Sequence, residues 1–238
     1  MDKQLIFSGA LLLTIALFFF TVNRIAGFFR LTRPGYPVKD FGKRILLMLR
    51  VAFGQTKIFR RPVTGFLHAL VFWGFCVILL GSIEMVIDGV GGLEKSLSFL
   101  GPVHDLIMAS GDIFALLVLL SILVFLVRRL FLNIRRFEGI EMKKKSHIDA
   151  VVSLSLIFLL MVTLIGMNTG YIIYSGLEGK TIHGVYPVSS FLAGIGGPDE
   201  PRKAWLLMET SWWSHILLIF FFANYLPYSK HFHVFMSV

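Results

Sequence analysis

Five stretches of this 238-residue chain, at about 4–23, 62–83, 106–127, 150–174 and 208–229, each run for some twenty residues with almost no charged side chain. About 20 apolar helical residues cross the hydrocarbon core of a bilayer. The chain therefore reads as an all-α integral membrane protein, a bundle of five transmembrane helices in a single domain spanning 1–238. Composition agrees. Hydrophobic residues make up 56% of the chain and mean hydropathy is +0.78, more apolar than a soluble domain carries. The first run precedes Arg24 and Arg30 and has no small-residue cleavage pattern, so it reads as a retained anchor rather than a leader. Cys76, the single cysteine, lies in an apolar run and excludes an iron–sulfur cluster, a zinc site or a disulfide built from this chain's own thiols.

Charge sets the expected orientation. Ten basic residues lie between Arg24 and Arg61 against Asp40 alone, and seven more lie between Arg128 and Lys145. By the positive-inside rule both segments face the cytoplasm, which puts the N-terminus outside and the C-terminus inside. The net charge of +9 is then an inside excess that needs no nucleic acid to explain it. Within the first basic loop, Ile45, Leu46, Leu49, Ala52 and Phe53 recur at helical intervals, so an amphipathic interfacial helix is expected over about 41–59. The outer loop from Gly179 to Lys203, rich in Gly and Pro, is expected to be irregular and to act as a lid or binding loop.

Histidines mark the candidate site. His68 and His147 fall at cytoplasmic helix starts, His104 at the outer start of the third span, His215 well inside the fifth, and His231 and His233 just beyond its cytoplasmic end. An ionisable side chain in hydrocarbon is expensive unless partnered, which makes such histidines functional candidates. His215 and His233 are 18 residues apart, five whole turns, so they leave one helix face about 27 Å apart. Two such imidazoles could hold two stacked haems. With no Cys-x-x-Cys-His in the chain, any haem is non-covalent and of b type. Bis-imidazole iron exchanges electrons without opening a position for oxygen. Interfacial hydrogen bonding by His68 and His104, and a plain basic tail holding His231 and His233, are the competing readings. Asp112, alone among acids in the middle of the third span, could relay protons, bond His215 or a haem propionate, or simply bond a hydroxyl on a neighbouring helix. Arg60 and Arg61 are placed to pair with propionates of an inner haem.

The run Arg60-Arg61-Pro62-Val63-Thr64-Gly65-Phe66-Leu67-His68, then Trp73-Gly74-Phe75, then Trp212-Trp213-Ser214-His215 and Leu226-Pro227-Tyr228-Ser229-Lys230-His231-Phe232-His233-Val234, resembles the cytochrome b (gamma) subunit of respiratory nitrate reductase. It resembles still more its relatives in heterodisulfide-reductase-like and sulfite-reduction-associated complexes and in fused iron–sulfur quinone oxidoreductases. The resemblance implies a membrane cytochrome b with one or two haems b, one ligand to each coming from the fifth helix. His68 and His233 would hold the inner haem and His215 the outer. Ile78 stands where the family's second histidine of the second helix is expected, and His104 is the substitute on the outer side. The implied function is electron transfer between the quinone pool (menaquinone or ubiquinone) and a cytoplasmic iron–sulfur partner, in the inner (cytoplasmic) cell membrane. That partner would be a heterodisulfide-reductase-like subunit or a C-terminal continuation past Val238. A non-redox membrane anchor or assembly subunit is the rival reading. A metal-ion transporter is a weaker third, since no internal repeat is visible.

Overall fold

The computed structural model describes residues 2–31, 39–132, 144–229 and 232, and among these every regular element is helical. Five helices are long and apolar enough to cross a membrane: α1 (Asp2–Phe29), α3 (Pro62–Gly91), α4 (Pro102–Leu130), α5 (Lys144–Leu177) and α7 (Pro201–Tyr225). Two shorter ones are α2 (Phe41–Met48) and α6 (Pro187–Ile195). Proline opens α3, α4, α6 and α7. It suits a first turn because the amide it lacks has no intrahelical partner there. Four of the spans read from the sequence lie within helices, three of which run further at both ends; the fifth, read as 208–229, outlasts α7, which ends at Tyr225 and is followed by a 3-10 turn Leu226–Tyr228. Charge ends an apolar run before it ends a helix, so hydropathy marks the core of a span and undercounts its caps.

The five long helices alternate in direction, so α1 and α7 run parallel, joined at their starts by Lys3–Glu209 and near their far ends by Thr21–Tyr228. One end of the bundle carries the 92–101 and 178–200 segments and is called here the cavity end; the other carries the basic segments. Helix association in an apolar medium relies on close packing of small residues. A Cβ on Gly170 of α5 would stand 2.6 Å from the Met208 nitrogen of α7, so only glycine lets these two backbones meet. The α1 helix is attached more lightly. Its Phe7 ring is fully buried, 5.6 Å from the Trp212 ring and 5.8 Å from the Phe220 ring, and lies in the space left by Gly89 of α3. A second core of Ala115, Val118, Ile122, Leu160, Met161 and Ile165 joins α4 to α5. Elsewhere the long helices present exposed Leu, Ile, Val and Phe, as a lipid-facing bundle does.

Two expectations are corrected. The interfacial helix is broken within 41–59: α2 stops at Met48 and is followed by a π-helical turn Leu49–Phe53 and a 3-10 turn Ile58–Arg60. Gln55, between them, has φ +52, and Trp73 Nε1 donates to the Phe53 carbonyl that the break frees, at 2.9 Å. α2 itself buries none of its side chains, as a helix lying in the membrane interface would. The outer loop is not irregular throughout. Its glycines Gly194, Gly196 and Gly197 cluster at the end of α6 and leave the Pro187–Ala193 stretch free to be helical.

Candidate functional site

At the cavity end the helices splay around a cavity of about 410 Å³, bounded by α3, α4, α5 and α7 with the first turn of α1 at its side. Its apolar wall includes Met85, Met108, Met167 and Trp212; its polar wall includes Glu84, Lys95, Tyr171 and Tyr186. A mainly apolar cleft of this size with a few convergent polar groups is the usual form of a small-molecule or cofactor site.

The polar wall is built around a buried carboxylate. Glu84, on the last third of α3, accepts from the Leu97 N–H at 3.0 Å and meets His104 Nε2 at 3.1 and 3.3 Å through its two oxygens. Both side chains are 2–3% exposed. One turn on, Asp88 accepts from the backbone N–H groups of Lys95 and Ser96 at 2.9 and 3.0 Å. Lys95 sits in the left-handed region at φ +53, a conformation that a non-glycine residue adopts only when its surroundings hold it there. Its ammonium lies 5.3 Å from the Tyr171 ring centre and 5.2 Å from that of Tyr186. Desolvation pulls the Lys95 amine below its ordinary value, while the charge of Glu84, then Tyr171 and Asp88, draws it back.

His215 lies on α7 one turn beyond Trp212, where the α7 lining of the cavity ends, and is 1% exposed. Its Nδ1 meets the Leu160 carbonyl and the Thr163 hydroxyl, both at 3.0 Å. A carbonyl only accepts, so Nδ1 carries the proton and Nε2 presents its lone pair. That Nε2 is buried and has no hydrogen-bond partner. An imidazole oriented through Nδ1–H, with its other nitrogen bare, has the form of a metal-ligating histidine. His104 is oriented in the opposite sense. Its Nε2 is on Glu84 and no hydrogen bond engages its Nδ1.

The other sequence candidates fall as follows. His68 is half-buried on the second turn of α3, with Arg60 and Arg61 exposed just before that helix, at the basic end. His233, its expected partner, lies outside the described residues, as does His231. Asp112 does not bond His215. It accepts from the N–H groups of Val188 and Ser189 at 2.8 and 3.0 Å, from Ser189 Oγ at 2.5 Å and from Asn168 Nδ2 at 3.3 Å. Of its possible roles, the bond to a neighbouring hydroxyl is the one seen, with the N-terminus of α6 added. Among the described residues no cluster of three or more His, Cys, Asp or Glu side chains forms a metal site. Haem needs at most two axial side chains, so that result bears on other metals. Sequence reading passed over Glu84 and Lys95 because they stand near a helix end, where charge is ordinary. The available signal was Glu84 falling 20 residues before His104, a separation that a helical hairpin folds back upon itself.

Comparison with known proteins gives two relatives, both named as oxidoreductases. The chain is 24% identical over 221 residues to the probable iron-sulfur-binding oxidoreductase FadF of Bacillus subtilis (strain 168), covering 92% of this chain and 30% of that protein. It is 23% identical over 205 residues to the EtfAB:quinone oxidoreductase of Syntrophomonas wolfei subsp. wolfei (strain DSM 2245B / Goettingen), covering 82% of this chain and 27% of that protein. It thus spans less than a third of the curated relatives it matches, and is their distant homologue. No family model matches, and no solved structure matches.

Proposed function

We propose that this chain is a haem b membrane subunit or domain that moves electrons between the quinone pool and a cytoplasmic iron–sulfur partner, in the inner (cytoplasmic) cell membrane. The observation that carries the reading is His215: a buried imidazole, fixed through Nδ1 by Leu160 and Thr163, whose Nε2 is buried without a hydrogen-bond partner, one turn beyond Trp212 of the cavity wall. Its donor chemistry is that of a residue that would hold haem iron. When bound, a bis-imidazole haem b supplies one-electron transfer without a position open to oxygen. His215 would hold it from α7. His104, oriented by Glu84 through Nε2, offers Nδ1 as the second ligand. His68 and His233 would hold a second haem at the basic end, where Arg60 and Arg61 supply charge for propionates.

The chain's own groups account for the rest. Met85, Met108, Met167 and Trp212 exclude water from the cavity, and Lys95 and Tyr171 offer N–H and O–H donors to a quinone carbonyl at its rim. Asp112 serves by fixing α6 at the side of the site. The names of both relatives support the assignment, one by iron–sulfur binding and one by quinone reduction or oxidation. Since this chain matches only part of each and has one cysteine, the clusters would reside on a partner polypeptide or on a further segment.

The test is a dithionite-reduced minus oxidised spectrum of the purified chain, with pyridine haemochrome quantification and a His215→Leu variant alongside. One or two haems b per chain, with one lost in His215→Leu, is the expected result. No haem in protein folded with haem available overturns the redox reading and leaves a membrane anchor.

A further inference from the structure

The segment between α5 and α7 does not stay on the surface of the bundle. Residues 181–198 are 18 consecutive positions without Asp, Glu, Lys or Arg, in a chain that otherwise places charge in every connection. Their path can be followed by what they touch. The His183 N–H donates to the Tyr171 hydroxyl at 2.9 Å, and a Cβ on Gly184 would stand 2.9 Å from Met108 Cγ. Val188 and Ser189 then reach Asp112 and, through it, Asn168. After α6, Gly197 packs against Ile173, more than a turn back toward the end of α5. The chain thus descends, turns at the start of α6, and climbs out again.

The depth of that turn follows from helix rise. Asp112 is ten residues into α4 and Asn168 is nine before the end of α5, which puts both about 14 Å inside the helix ends at 1.5 Å per residue. α4, with 29 residues, is about 43 Å long and overhangs a hydrocarbon core of about 30 Å by some 6 or 7 Å at each end. The start of α6 is then roughly 8 Å below the hydrocarbon boundary. At that depth every backbone polar group needs a protein partner. Several have them: Asp112 takes the first amides of α6, Tyr171 takes His183 N–H, Tyr186 OH donates to the His183 carbonyl at 3.1 Å, and the Tyr186 carbonyl takes Ser190 N–H at 2.8 Å.

The opposite face of the segment is apolar and uncovered. Phe191 and Ile195, one turn apart, are each 68% exposed, and Val185 and Leu192 flank them. We propose that residues 181–197 form a re-entrant segment immersed in the leaflet at the cavity end, and that Val185, Phe191, Leu192 and Ile195 are covered by lipid acyl chains. Acyl chains are the occupant because the face lies at hydrocarbon depth and its large exposed side chains are all apolar. The segment forms one side wall of the cavity through Tyr186. Its placement does not depend on what the cavity binds.

The experiment uses the full chain in phosphatidylcholine–phosphatidylglycerol vesicles, with Cys76→Ala removing the native thiol. Nitroxide labels go on Phe191→Cys and, separately, Ile195→Cys, with Leu123→Cys on the exposed face of α4 and Asp199→Cys beyond the segment as references. Collision with molecular oxygen is compared with collision with a water-soluble nickel chelate. Oxygen favoured at 191 and 195, as at 123, and the chelate favoured at 199, is the expected pattern. Chelate favoured at 191 and 195 overturns the proposal in favour of an aqueous lid. Shielding of both labels from both reagents overturns it in favour of a protein partner or a second copy. The two labelled positions replace exposed side chains, so one reports if the other variant fails to fold.

Discussion

Replacing Asp112 separates a capping carboxylate from a proton relay, because the two roles rank the same substitutions differently. Four donors converge on it, two of them the buried backbone amides of Val188 and Ser189. In Asp112→Asn the remaining carbonyl oxygen still faces those amides, Ser189 Oγ can turn to accept, and the Asn168 amide can flip. What is lost is charge assistance, on the order of 1–2 kcal/mol for two amide bonds that become neutral. In Asp112→Ala both amides are left buried and unpaired at about 1–3 kcal/mol each, and Ser189 and Asn168 lose a partner as well, for a total of roughly 3–6 kcal/mol. Hydrogen exchange of the 187–190 amides in the reconstituted chain reads this directly. At about 1.4 kcal/mol per factor of ten, exchange should quicken roughly 5- to 30-fold in Asn and a hundredfold or more in Ala. A relay needs a titratable group, so Asn and Ala would then abolish activity equally while leaving exchange alone. That result, or equal exchange in the two variants, refutes the capping role.

Other outcomes follow from the packing and charges. Phe7→Ala removes a fully buried ring and should cost about 3–5 kcal/mol, read as a lowered midpoint of thermal unfolding in detergent and as earlier protease cleavage around residues 24–31. Gly170→Val places branched carbon against the Met208 backbone, where even a Cβ would stand 2.6 Å away; it should force α5 from α7 and destabilise more than Gly9→Val, where nothing lies within 4 Å of the added Cβ. Lys95 has its folded-state value lowered by desolvation, so below that value the folded chain carries a penalised charge. The unfolded state there binds the proton more readily, and stability should rise with pH through the depressed lysine titration until the ordinary value near 10.4 is reached. Lys95→Met should flatten that slope, as measured by unfolding midpoints across alkaline pH.

Five long helices were legible because hydrocarbon imposes a single rule, uninterrupted apolar length, that leaves its mark on every span. The extra turns were not, since Lys144 or Pro201 can begin a helix outside the membrane at no cost in hydropathy. His215 stood out in the sequence as an imidazole in an apolar run, yet the orientation that makes it a candidate ligand depends on Leu160 and Thr163, 55 and 52 residues earlier, and on a backbone carbonyl that any residue could supply. α6 was hidden by its neighbours. Pro187 and Gly194 to Gly197 mark the ends of a short helix as readily as they mark a loop. The break after Phe53 left no mark in the apolar periodicity, because the π-helical turn Leu49–Phe53 that precedes it shifts register by only a fraction of a turn.

The cavity end shows why acids sit so deep in a chain whose charge is otherwise basic. Glu84 and Asp112 are 2% and 1% exposed, a placement that isolated carboxylates do not tolerate in an apolar surrounding. Each is held by donors from a connecting segment: Leu97 of the 92–101 turn for Glu84, and Val188 and Ser189 of the re-entrant stretch for Asp112. Each also grips a polar side chain on an adjacent long helix, His104 on α4 and Asn168 on α5. The two carboxylates therefore tie the connections to the bundle on either side of the cavity. Removing one should open the side it holds while the other stays closed. In Asp112→Ala, labels on 191 should gain motion while the His104–Glu84 wall stays intact. Glu84→Ala should free the 92–101 turn and the His104 ring and leave exchange of the α6 amides unchanged. If either single change loosened both sides together, the cavity end would be one cooperative unit, and the two-clamp account would fail.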